Sequence, residues 1–161
     1  MNWVLTSITS ITYTTSKEPF MDWCRLVPEL CVSDFSASWR FYVETVGFKV
    51  RYRRSDPQFA YLDFEGAQLM LEELQKDSWV LGDIARPYGR GMNLQLECAD
   101  VEAVRDRLLA GGYELYHGME DAWYETNEGW SGQRQFIVPD PDGYLLRFCQ
   151  YLGDWKLDPQ A

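Results

Sequence analysis

Beyond the first two dozen residues, apolar and polar positions fall into a strict order. Leu26, Pro28, Leu30 and Val32 alternate with Val27, Glu29 and Cys31, the two-residue period of a strand whose faces meet different surroundings. Asp34 then stands where a helix N-cap is wanted. Phe35, Trp39, Tyr42, Val43 and Val46 recur at helical spacing, and Gly47 suits the left-handed position that ends a helix. Three strands are predicted near residues 49–54, 59–64 and 67–72, parted by the turn-prone Ser55-Asp56-Pro57 and Glu65-Gly66.

After a polar connection with Gly82, Pro87, Gly89 and Gly91, the order begins again. Leu94, Leu96 and Cys98 alternate with Asn93, Gln95 and Glu97. Asp100 caps a second helix, Val101, Val104, Leu108 and Leu109 form its stripe, and Gly111-Gly112 ends it. Strands are predicted near 113–116, 133–138 and 144–149, the last two joined by the tight turn Asp140-Pro141-Asp142-Gly143. The residues between the first two of these read as a polar loop. Leu30-Cys31-Val32-Ser33-Asp34 lies over Leu96-Glu97-Cys98-Ala99-Asp100, so the chain is a doubled βαβββ unit of the α+β class. Module one spans about 24–75 and module two about 91–151, within a single domain of about 21–155; 156–161 reads as a tail.

Composition narrows the partners. A chain of 161 residues, 46% apolar and 16% aromatic, supports one domain with a real core. Its formal charge of −10 repels phosphate backbones and anionic lipid, so neither nucleic acid nor membrane is expected as a partner. No apolar stretch reaches the roughly 18 residues of a membrane span, and no export signal opens the chain. The four cysteines lack metal-site spacing and lie in or beside apolar runs, which favours buried free thiols and a reducing cytoplasm. Residues 1–20, rich in Ser and Thr, read as a weakly ordered extension; an added strand and a native start at Met21 are the alternatives.

Val32-Ser33-Asp34, Arg40-Phe41-Tyr42, Gly47-Phe48 and the later run from Phe136 through Asp140-Pro141-Asp142-Gly143 to Tyr144 resemble the vicinal oxygen chelate superfamily of glyoxalases, extradiol dioxygenases and bleomycin resistance proteins. The resemblance covers about residues 25–151. It implies paired βαβββ modules, a curved mixed sheet around a ligand cavity, and a homodimer. Enzymes of the superfamily draw one metal ligand from the first and last strand of each module. Here those places fall on Val27, Glu72, Asn93 and Arg147. A hydrocarbon cannot ligate and a guanidinium repels a divalent cation. Only Glu72 is a good ligand, so no metal is expected, and the absence of Gly-rich phosphate loops or nucleophile elbows implies no other cofactor.

What the face opposite the helices holds suggests binding. Glu29, Glu72, Asn93, Gln95 and Arg147 are out of place in a dry core, and Arg147 is expected to pair with Glu72 or Glu29 in the role of the missing metal; the pair as mutual satisfaction only is the plainer alternative. Phe59 and Tyr61 are candidates to line the groove. Residues 97–130 carry a net −7, and within them Trp123, Tyr124 and Trp130 interleave with carboxylates, a pattern suited to flat cations through stacking and cation–π contact; packing or a dimer contact would also explain them. His117 reads as an exposed loop residue, with proton transfer as the alternative. These features resemble bleomycin resistance proteins, which trap a cationic aromatic glycopeptide in a groove between subunits without turning it over. The competing expectation is a metal-dependent lyase, isomerase or dioxygenase built on Glu72 with atypical ligands such as Glu29 or His117.

Overall fold

The computed structural model describes residues 22–156; the expectations for 1–20 and for 157–161 lie outside them. Module one consists of β1 (Glu29–Val32), α1 (Phe35–Trp39), β2 (Lys49–Ser55), β3 (Gln58–Phe64) and β4 (Ala67–Glu73). Module two repeats the order as β5 (Asn93–Glu97), α2 (Val101–Ala110), β6 (His117–Thr126), β7 (Gly129–Pro139) and β8 (Leu145–Lys156). Two four-stranded mixed sheets result, ordered β1-β4-β3-β2 and β5-β8-β7-β6. In each the first strand runs parallel to the last and the other pairs are antiparallel.

The caps act as their residue types require. The Asp34 carboxylate accepts from the Ala37 N–H at 3.0 Å and the Asp100 carboxylate from the Ala103 N–H at 2.9 Å, satisfying donors that the first helical turn leaves orphaned. Helix α1 is short because the chain widens at Arg40 into a π-helical turn through Val46. There the N–H groups of Gly47 and Phe48 both donate to the Tyr42 carbonyl, at 3.1 and 2.9 Å. The wider turn lets Phe41, Tyr42 and Val46 all be fully buried, and Gly47 leaves it at φ 99°, a left-handed conformation that glycine accepts without strain.

Four details differ from the sequence reading. Strand β1 starts only at Glu29, and Leu26 before it is exposed rather than core. Residues 113–116 are not a strand; the segment read as a polar loop is strand β6. That strand has no buried stripe because it is the sheet edge, held by backbone pairing to β7 rather than by burial. Strand β8 runs on through Lys156. Finally, Cys98 and Cys149 are buried and Cys31 partly so, but Cys24 is exposed; all four are free thiols.

One core serves both modules. Leu30, Val32, Leu62 and Leu71 of the first sheet belong to the same buried cluster as Leu96, Phe136, Leu146 and Phe148 of the second, together with residues of both helices. Phe64 meets Phe148 edge-on at 5.8 Å, and Arg107 of α2 donates to the Val46 carbonyl at 2.8 Å. The turn at Asp140-Pro141-Asp142-Gly143 fastens the modules together: Asp142 accepts from the Ser33 N–H and hydroxyl at 2.9 and 2.6 Å. Asp140 accepts from the Tyr42 hydroxyl at 3.0 Å. With both helix-covered faces committed to this core, the opposite faces of the two sheets are turned away from it, one on each module. No helix among the described residues is long and apolar enough to cross a membrane.

Candidate functional site

On the outer face of module one, strand pairing sets two rows of side chains across the sheet. Cys31, Glu72, Phe59 and Arg54 form one; Glu29, Met70, Tyr61 and Tyr52 form the other. Glu29 and Glu72 are thus diagonal neighbours on adjacent strands. Burial raises the Glu29 carboxyl above the ordinary glutamate range, and the Glu72 charge and a shared hydrogen bond raise it further. Burial also pushes up the Cys31 thiol, with Glu72 and Glu29 adding to the effect. Among the described residues no ion pair engages either glutamate. Arg54, the cation beside them, has its guanidinium 4.0 Å from the centre of the Phe59 ring.

Phe59 and Tyr61 do not line a groove in this chain. They are 2% and 3% exposed, because Tyr52 stacks on both at 5.6 and 5.5 Å and Trp23 meets Tyr61 edge-on at 4.9 Å. They form the floor beneath other rings. The open space lies beside them instead. A cleft of about 340 Å³ is bounded by Glu29, Glu72, Arg54, Asp77 and Trp79. A second of about 280 Å³ is bounded by Glu29, Cys31, Trp79, Tyr88 and Tyr144. Trp79 lies in the connection between modules, where no periodic pattern marks it, and sequence reasoning missed it.

The outer face of module two carries a directed hydrogen-bond chain. Arg147 donates through Nη2 to Gln95 Oε1, Gln95 donates to Gln133 at 3.4 Å, and Gln133 to Gln135 at 2.9 Å. Gln135 donates in turn to Glu120 and to the Tyr124 hydroxyl, each at 2.8 Å. A guanidinium can only donate and a carboxylate only accept, so the two ends orient every amide between them. Beyond Glu120 lies His117, with Nε2 at 3.1 Å. His117 opens strand β6 rather than sitting in a loop. Asn93 is exposed at the start of β5, paired with Leu145. Gln133 and Gln135 were not singled out from the sequence; their outward parity on β7 was the available signal.

Two expectations need correction. Arg147 forms no ion pair with Glu72 or Glu29, since those carboxylates are on the outer face of the other module and the two outer faces do not meet within the chain. Its Nε is buried and has no hydrogen-bond partner among the described residues. Trp123 and Trp130 do not join Tyr124. They share the parity of Arg134, which reaches Glu102 of α2 at 2.7 Å, so both project on the helix side of the sheet while Tyr124 projects outward. Trp123 lies flat on Gly132, where a Cβ would come within 2.7 Å of the indole.

The donor set does not fit a divalent metal. Val27 offers nothing, Arg147 carries its own charge and is engaged by Gln95, and among the described residues no group of three His, Cys, Asp or Glu side chains is placed to hold an ion.

The chain belongs to the glyoxalase/bleomycin resistance protein/dioxygenase superfamily, whose family model matches residues 21–148. No curated protein matches it. Among solved structures, a superfamily member from Vibrio splendidus is 37% identical, with 78% of this chain and 97% of that one covered, at a TM-score of 0.35. A virulence protein from Salmonella typhimurium is 24% identical, covering 82% and 100%, with a TM-score of 0.57. TioX from Micromonospora is 21% identical, covering 84% and 100%, with a TM-score of 0.57. The latter two share the fold.

Proposed function

We propose that this protein binds and sequesters a cationic, aromatic small molecule on the outer face of module one, without a metal and without turning it over, in the manner of the bleomycin resistance proteins of its superfamily. The observation that carries this reading is the Glu29–Glu72 pair: two neighbouring carboxylates that form no ion pair among the described residues, facing a cleft that Arg54 and Trp79 also wall. Their mutual repulsion is relieved when a cation settles between them, and the indole offers a stacking face beside it. In this proposal two copies associate so that the module-two face of one, with Gln95, Arg147 and Tyr124, covers the module-one face of the other. That Arg147 forms no ion pair with a carboxylate among the described residues supports that arrangement, and the four free thiols suit a cytoplasmic home.

Calorimetric titration with metal-free bleomycin tests the reading. Binding is expected at micromolar concentration, unchanged after exhaustive chelation, and weakened about tenfold or more by Glu72→Gln or Glu29→Gln. No binding at tens of micromolar, or a stoichiometric metal whose removal abolishes binding, overturns it. The pH dependence follows from the raised Glu29 carboxyl. Below its titration the site holds a proton where the ligand's cation must sit, so affinity falls as the solution is acidified, and Glu29→Gln flattens that profile.

A further inference from the structure

We propose that Trp79 is a movable partition that determines ligand specificity: it swings aside to open the two module-one clefts into a single trough, and then stacks on the flat ring of an elongated cationic ligand. This rests on the binding reading above and adds to it the length of the ligand and the residue that selects it. Trp79 and Glu29 belong to the walls of both clefts. On one side of the indole lie Glu72 and Asp77, on the other the rings of Tyr88 and Tyr144, which meet edge-on at 5.9 Å. Each cleft alone, about 340 and 280 Å³, is at the small end of the range for a drug-sized ligand, roughly 300–1,000 Å³. Joined, they form a trough with carboxylates at one end and tyrosine rings at the other.

The indole is free to make this movement. Trp79 is 97% exposed and Leu81, two residues on, is fully exposed, so displacing them breaks almost no packing. The connection that carries them is tied down at its ends. The Leu74 N–H donates to the Val32 carbonyl at 2.9 Å and the Gln75 N–H to the Ser78 hydroxyl at 2.8 Å. At the far end the Tyr88 N–H donates to the Asp142 carbonyl at 2.9 Å and Arg90 donates to the Ala85 carbonyl at 2.9 Å. Between these anchors Gly82, at φ 73°, supplies a left-handed position about which the backbone turns without strain. A large exposed ring on a segment anchored at both ends, beside paired carboxylates, has the parts of a stacking lid.

Protein labelled with 5-fluorotryptophan tests this by ¹⁹F NMR, the Trp79 resonance being assigned by its loss in Trp79→Phe. Two probes are titrated: metal-free bleomycin, which is long and aromatic, and methylguanidinium, which is short and has no ring. The Trp79 resonance is expected to shift with bleomycin and saturate with the calorimetric binding curve. Trp79→Ala is expected to weaken bleomycin about tenfold and leave methylguanidinium unchanged, whereas Glu72→Gln weakens both. If Trp79→Ala binds bleomycin as the native protein does while Glu72→Gln does not, the partition is wrong and the carboxylate site stands. A Trp79 resonance that stays put, or a Trp79→Ala protein whose sedimentation shows a changed oligomeric state, also overturns it. If neither probe binds the native protein, both readings fall.

Discussion

Asp140 is a carboxylate placed where a carboxylate is costly. Burial raises its titration to about 6, against the hydrogen bonds it accepts from the N–H groups of Tyr144 and Asp142 and from the Tyr42 hydroxyl, with the nearby Asp142 charge raising it further. An acid whose folded value lies above its unfolded one stabilises the fold fully at low pH and loses that contribution as pH rises through the folded value. From pH 7 to 5, Asp140 alone is therefore expected to add about 1–2 kcal/mol of stability. Asp140→Asn keeps the shape and removes the titration. Urea denaturation of both proteins at the two pH values should show the native protein gaining more on acidification than the variant, and an equal gain would mean Asp140 titrates normally. Strand parity correctly set Glu29, Glu72, Gln95 and Arg147 on the faces opposite the helices. It carries no information about which face meets which across the molecule, and so Arg147 was matched with carboxylates it does not touch.

At the scale of elements, both helix starts were readable because an N-cap is a local device: one carboxylate, one N–H three residues on. Asp100→Ala is expected to cost about 1 kcal/mol in denaturation experiments, with Asp100→Ser recovering most of it. Strand β6 was not readable, for a physical reason. At a sheet edge, its positions 117–126 are mostly exposed on both sides, so no period of two survives in their hydrophobicity and only the partner strand defines it. Proximity in sequence therefore groups the aromatic residues of β6 with Trp130 at the start of β7, whereas the pairing separates Tyr124 from Trp123 and Trp130. Trp123→Ala, on the helix side, is expected to change bleomycin affinity less than twofold. A larger loss would place the ligand on that side of the sheet and count against the module-one site.

Across the whole molecule, the internal duplication suggests two bodies, but the packing makes one. The helix-covered faces of both sheets fill a single core, and the junction is sealed by Asp142, which is only 1% exposed, between Ser33 of module one and Arg86 of the connection, 2.9 Å away. Removing that carboxylate leaves the Ser33 N–H and hydroxyl without their acceptor in a half-buried place, an expected cost of about 2–3 kcal/mol for Asp142→Ala. Asp142→Asn keeps one of the two accepting oxygens and loses the other together with the ion pair to the more exposed Arg86, so a smaller cost than for Asp142→Ala is expected. Because the shared apolar core joins the modules as well as this junction, unfolding of Asp142→Ala should remain a single transition. Tryptophan fluorescence and far-ultraviolet circular dichroism are expected to give coincident curves at a lower urea midpoint with an unchanged slope. Separated transitions would show that Asp142, and not the common core, makes the two modules fold as one.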